Sequence, residues 1–316
     1  DFDPATAETQ NITVRYGNVL TSDYIRENYI RYDGFIDGES EQPESTEILS
    51  HIVVEQGYVY ADAETRTDAG TKLPVTLRFE EDFVPDNYEV TFGQDTQIEV
   101  LKRQINIELT NEYEQNSYGY HVFGEYGKEI KPVIAQVSSG GIVEGDAESA
   151  EIAYTYYYYG ESNDGTWSYS AQEAQEQGIS NPPDKAGTYG VIVVLASGNY
   201  ELAPEDTGIS EDRTTRTFEN YYTILKQRVD SPKWAHSSLP ATGGEQENTL
   251  EYNVSLYSYV TADSDNGNMP SVINSTNGTI TMRATYAGGY WVIFELNDPN
   301  NYVWRELTGT EEGYDN

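Results

Sequence analysis

A short turn, an alternating strand and an Asn-Tyr pair occur three times in this chain, and a repeat of domain length limits the fold more than any other feature. The copies are DAGTKLPVTLRF at 68–79 leading to DNY at 86–88, KAGTYGVIVVLASGNY at 185–200, and YAGGYWVIFELNDPNNY at 286–302. Their glycines Gly70, Gly187 and Gly288 lie 117 and 101 residues apart, one domain each. A second element, GFIDGES at 34–40, returns as GIVEGDAES at 141–149. A third, IEVLKRQI at 98–105, returns as YTILKQRV at 222–229, with Lys102 and Lys226 in register. Three elements recurring in one order define modules at 1–104, 105–229 and 230–316.

The repeated elements read as strands. Leu73, Val75, Leu77 and Phe79 alternate with Pro74, Thr76 and Arg78, the period of a half-buried strand. The second copy places Tyr189, Val191, Val193 and Leu195 on one face and Ile192 and Val194 on the other, as in a strand covered on both sides. In the third, Tyr290, Val292, Phe294 and Leu296 alternate with Trp291, Ile293 and Glu295. The Ala-Gly pair ahead of each strand suits a tight turn in which glycine takes positive φ. Only AQEAQEQG at 171–178 reads as a helix. The expected fold is therefore all-β: three tandem immunoglobulin-like or related small β-sandwich modules, with a β-grasp-like unit as the alternative topology. The junctions QIEVLKRQINIEL and YYTILKQRVDSPKW contain no Gly/Ser linker, which predicts a stiff, extended array.

These motifs resemble the MBG and YDG families of bacterial surface repeats. The resemblance rests on Tyr16-Gly17 in ITVRYGN, GFIDGES, DAGTKLPVTL, DNYEVTF and IEVLKRQ in the first module, and on NPPDKAGTYGVIVVLASGNYEL in the second. It covers most of residues 11–229 and thins in the third module, which keeps the AGGY strand and the NNY pair but has no G-F-x-x-G element. The third module is thus divergent or truncated. What the resemblance implies is a large exported protein whose tandem modules act as spacers or adhesive stalks at the bacterial cell surface, without catalytic residues.

Charge and chemistry narrow the function classes. A formal charge of -36 with 28 tyrosines describes a folded acidic protein rather than a solvated tail, and it repels nucleic acid and anionic lipid. The chain has no cysteine, which excludes disulfides, thiolate metal sites and a cysteine nucleophile and suits a bacterial surface better than a secreted eukaryotic module. No apolar run nears the ~20 residues a membrane span needs. His51, His121 and His236 have no motif partners, so no enzyme is expected.

Three stretches and a pair of lysines invite a functional reading. In YTYYYYG at 154–160, an alternating strand turns Tyr154, Tyr156 and Tyr158 inward and Tyr157 and Tyr159 outward. The outer pair with Trp167 are the candidate ligand-binding residues, an aromatic platform for sugar rings, against a purely structural strand. TADSDNGN at 261–268 places Asp263 and Asp265 as candidate metal ligands, against a solvated turn, because it lacks EF-hand spacing. No cofactor is expected beyond weak calcium attraction to the net charge. LPATGG at 239–244 matches a sortase signal, but strand-like sequence follows it, so it reads as a turn. Lys102 and Lys226 stand at junctions rather than on a core strand, which disfavours isopeptide cross-links. The expected partner is a protein or glycan of unknown identity, bound by a monomer.

Overall fold

The computed structural model describes residues 3–9, 11–34, 43–93, 96–110 and 121–305. Of GFIDGES only Gly34 is among them; 35–40 lie outside. Strands hold 46% of residues and helices 8%, so the chain is all-β. By compactness it divides into two units. One is Asp1–Thr110, Ile134–Tyr156 and Ile192–Phe218; the other is Asn111–Val133, Tyr157–Val191 and Glu219–Asn316.

In the first unit a four-stranded sheet runs in the order Ile52–Gln56, Lys72–Phe79, Gln97–Leu101, Ile12–Arg15. The Ala-Gly strand Lys72–Phe79 pairs antiparallel with both neighbours, while Ile12–Arg15 joins Gln97–Leu101 in parallel, Ile12 opposite Ile98. Alternation fixes the buried face: Ile12, Val14, Ile52, Val54, Val75, Leu77, Ile98 and Val100 are core, and Thr76 and Arg78 are exposed. A second sheet orders Ile30–Asp33, Asp3–Thr9 and Tyr88–Phe92, and a third Ile134–Ser139, Arg103–Thr110 and Tyr200–Leu202.

The second unit carries most of a five-stranded sheet ordered Ser168–Tyr169, Ala153–Ser162, Gly187–Ala196, Thr215–Leu225, Val122–Glu125. Its last four strands repeat the first unit's four-stranded order, element for element. The central Gly187–Ala196 strand is covered on both faces, with Tyr189, Val191, Ile192, Val193 and Leu195 all buried. Beyond it, Gln227–Val229 pairs with Tyr302–Trp304, Gln246–Glu251 with Thr279–Ala284 and Ser271–Asn274, and Tyr257–Ser264 with Tyr290–Leu296.

One pairing recurs three times. The strand that opens each repeat lies parallel to the strand begun by its Asn-Tyr pair: Asp3 opposite Tyr88, Arg103 opposite Tyr200, Gln227 opposite Tyr302. A single lysine, Lys102 or Lys226, separates each closing strand from the next opening strand.

Two expectations change. The helix at Ala171–Gln177 forms as read, with a Ser170/Glu173 capping box and Gly178 left-handed at its end. However, Ser22–Tyr29, Pro43–Ser50 and the single turn Glu148–Glu151 are also helical. Ser22–Tyr29 starts at Thr21, whose hydroxyl accepts from the Tyr24 N–H, and buries Ile25, too narrow a stripe to show periodicity. Of the three Ala-Gly glycines only Gly70 has positive φ, at 84°. At Gly187 and Gly288 the neighbours are close instead: a Cβ would lie 2.9 Å from the Tyr189 hydroxyl and 2.2 Å from the Asn266 amide.

Candidate functional site

The repeated motif residues converge on the junctions. In the first unit Gln97–Leu101 ends at Lys102 and Arg103–Thr110 begins at once. The Tyr16 N–H continues the parallel ladder onto the Leu101 carbonyl at 2.8 Å, and the Arg103 N–H donates to the Asn199 carbonyl at 2.9 Å. Arg15 donates to the Lys102 carbonyl at 2.8 Å, and Lys102 Nζ to the Ser197 carbonyl at 3.0 Å.

Asn199 is the latch. Its Oδ1 accepts from the Ala69 N–H at 2.9 Å, at the earlier Ala-Gly turn, and its Nδ2 donates to Asp68 at 3.1 Å. One buried amide therefore satisfies a backbone donor and a carboxylate from a turn 130 residues earlier in sequence. Asn301 repeats this in the second unit. Fully buried, it accepts from the Ala186 N–H at 2.9 Å and donates to Asp164 at 3.0 Å and Asp298 at 2.9 Å. Its carbonyl accepts from the Gln227 N–H at 2.9 Å, and the Tyr126 N–H donates to Leu225 at 2.8 Å.

The tyrosines follow the same plan. Tyr16 stands edge-on to Tyr200 with centroids 5.6 Å apart, and Tyr126 edge-on to Tyr302 at 5.3 Å. A cation covers the Tyr-Gly ring each time: the Arg66 guanidinium 5.5 Å from Tyr16 and the Lys185 ammonium 5.3 Å from Tyr126. Gly17 admits the close approach of Val143, whose methyls lie 2.4 Å and 2.6 Å from where a Cβ would stand.

Arg66 centres the first junction. Its side chain and that of Asp146 are 2% and 4% exposed and ion-paired. Arg66 also donates to the Tyr60 carbonyl and the Glu144 carbonyl, both at 2.8 Å. Tyr200 donates to the other Asp146 oxygen at 2.7 Å and accepts from the Val143 N–H at 3.0 Å. Burial pushes the Tyr200 phenol well above its usual range, with the Asp146 carboxylate adding to the shift. In the second unit the Ser162 hydroxyl, then Thr166 and Asn301, hold the Asp164 carboxyl well below the carboxylate range against the opposing push of burial.

The aromatic trio does not form one platform. Tyr159 lies across Gly190, where a Cβ would sit 2.1 Å from its ring, and half-buried Tyr157 precedes it on the same strand face. Trp167 stands edge-on to Tyr189 and Tyr169, each at 5.0 Å. Residues 189 and 190 of one strand face opposite ways, so Trp167 and Tyr159 lie on opposite sides of the sheet. Tyr158 is buried as read, with its hydroxyl accepting from the Val133 N–H at 3.2 Å; Tyr154 and Tyr156 are half-buried, bonded to Glu148 and the Ala135 N–H.

Asp263 is exposed and accepts from the Ser264 N–H, while Asp265 accepts from the Gly289 N–H at 2.8 Å and gives its own N–H to the Gly289 carbonyl at 3.1 Å. Asp265 therefore prolongs the pairing of Tyr257–Ser264 with Tyr290–Leu296. Among the described residues no three His, Asp or Glu side chains gather as a metal site. His51 bonds Glu80 at 2.8 Å, His121 stacks on Tyr221 at 4.1 Å and His236 is exposed, so the histidines stay apart.

Sequence reasoning found the Tyr-Gly, Asn-Tyr and lysine positions as a pattern but missed Arg66 and the latch role of the asparagines. The recurrence of Asn beside each Tyr was the available signal; a single arginine in ETRTDAG offered none.

No protein-family model matches the chain, and no curated protein does. Among solved structures, the ICAM-5 D1–D4 ectodomain fragment is similar at 12% identity, with 96% of this chain and 78% of that chain covered and a TM-score of 0.28, too distant to carry an inference.

Proposed function

We propose that the chain is a non-catalytic segment of a bacterial cell-surface protein, made of successive MBG/YDG-type modules that act as a stalk or spacer and present a surface for adhesion. The observation behind this reading is where the repeated residues sit. Tyr16, Gly17, Lys102, Asn199 and Tyr200, and their counterparts Tyr126, Asn301 and Tyr302, hold one repeat to the next. A spacer needs joints that resist bending, and here each joint is a continued ladder, a buried amide and a packed pair of rings. The absence of cysteine and the net charge of -36 suit an exported, soluble surface segment.

The chain lacks cysteine, so paired labels are introduced cleanly. Spin labels at Thr76→Cys and Ser138→Cys, exposed positions on either side of the first junction, report its stiffness by electron double resonance. A single narrow distance distribution is expected. A broad one would mean a flexible tether and would remove the spacer reading.

A further inference from the structure

Between the irregular segment 236–244 and the turn at 285–290 lies a cleft of about 360 Å³, floored by Met282 of strand Thr279–Ala284. It falls within the ~300–1,000 Å³ range of small-ligand pockets. Its composition sets it apart. Asp, Glu, Lys and Arg make up 23% of this chain, yet none of them lines the cleft. Three aromatic side chains do: Trp234, half-buried and fixed by a bridge to Leu250, Tyr286, 65% exposed, and half-buried Tyr290. The Tyr286 backbone is anchored by the Tyr290 hydroxyl at 2.8 Å, and that hydroxyl accepts from Asn266 at 3.1 Å. The polar lining comes from side chains such as Ser238, Thr242, Gln246 and the exposed His236. Gln246 donates to the Thr242 hydroxyl at 2.6 Å, and Asn248 clamps the His236 backbone through bonds of 3.2 Å and 2.7 Å.

We infer that this cleft binds a neutral oligosaccharide, with the Tyr286 and Trp234 rings stacking on pyranose C–H faces and Gln246, Ser238 and His236 bonding hydroxyls. An aromatic ring offers a flat apolar face, and uncharged amides and hydroxyls match sugar hydroxyls without the cost of burying a charge. An anionic glycan is disfavoured twice over, by the absence of a lining lysine or arginine and by the chain's net charge of -36. An apolar peptide would leave its backbone groups facing rings and side-chain hydroxyls rather than a strand edge. The site is independent of the spacer reading and of the Tyr157 and Trp167 aromatics.

The test is an array of neutral and anionic oligosaccharides probed with the full chain, with each hit titrated by calorimetry against the wild type, Tyr286→Ala, Gln246→Ala and Tyr157→Ala. The 65% exposure of Tyr286 makes its replacement tolerable to the fold, checked by an unchanged melting curve. Neutral sugars alone should bind, with Tyr286→Ala weakening affinity at least tenfold, Gln246→Ala weakening it measurably, and Tyr157→Ala leaving it unchanged. Four results would overturn the inference: no neutral hit at millimolar sugar, a preference for anionic glycans, binding that survives Tyr286→Ala, or binding lost with Tyr157→Ala.

Discussion

Replacing Arg66 with methionine keeps most of the side-chain volume and removes the charge. With the Arg66 and Asp146 side chains 2% and 4% exposed, the substitution strands a carboxylate that keeps the Tyr200 hydroxyl but loses its counter-charge. Breaking a buried pair from one side costs about 3–5 kcal/mol, because the remaining charge is desolvated without compensation. The Tyr60 and Glu144 carbonyls lose their donor as well. For a cooperative block of ~150–250 residues, each kcal/mol moves the melting temperature by ~2–4 °C, so calorimetry should show a fall of roughly 6–20 °C. Replacing both partners, as Arg66→Met with Asp146→Leu, should recover most of that loss, since an apolar pair of similar volume is often neutral. A control is Arg283→Met: its pair with Glu247 is 41% and 48% exposed and should matter by less than about 1 kcal/mol. A drop below ~2 °C for Arg66→Met, or a double variant as unstable as the single one, would refute the reasoning.

Three further outcomes follow from the same geometry. Asn301→Ala should cost about 1–3 kcal/mol by orphaning the Ala186 N–H, seen as faster exchange of that amide. Gly190→Ala should cost about 1–3 kcal/mol by colliding with the Tyr159 ring, and Tyr159→Ala in the same chain should relieve the collision in chemical denaturation. Alkali should unfold the chain. Burial pushes the Tyr58 phenol up to about 12 and raises Tyr154, Tyr189, Tyr200 and Tyr222 above their usual value. Folding thus favours the neutral phenol, so this stability is complete below pH ~10, the unfolded value, and is lost as pH rises through the folded values. Tyr58 alone accounts for about 3 kcal/mol, and absorbance at 295 nm should show these tyrosines ionising together with unfolding.

Much of the architecture was legible because strand alternation and a domain-length repeat are written directly in residue order. Val75 and Leu77 are buried while Thr76 and Arg78 are exposed, and the strand through Val191 and Ile192 is covered on both sides, as their apolar patterns imply. What stayed hidden depends on contacts across long sequence separations. Asn199 meets Ala69 and Arg66 meets Asp146 across 130 and 80 residues of sequence, and no local pattern marks either encounter. The Tyr157, Tyr159 and Trp167 platform failed for a related reason. Alternation assigns a face within one strand but cannot say that Trp167 returns from its turn onto Tyr189, on the opposite side. The glycines teach a similar lesson: Gly187 and Gly288 look like positive-φ turn residues in sequence, yet neither has positive φ, and each instead sits close against a neighbouring side chain.

Residue-resolved hydrogen exchange tests the central claim most directly, that the joints are as firmly built as the modules they connect. The decisive amides are Ala69 and Arg103 at the first junction and Ala186 and Gln227 at the second, all held by Asn199 or Asn301. Protection matching that of the buried Gly187–Ala196 strand is the predicted result. Exchange of these four at unfolded-peptide rates, while that strand stays protected, would contradict it.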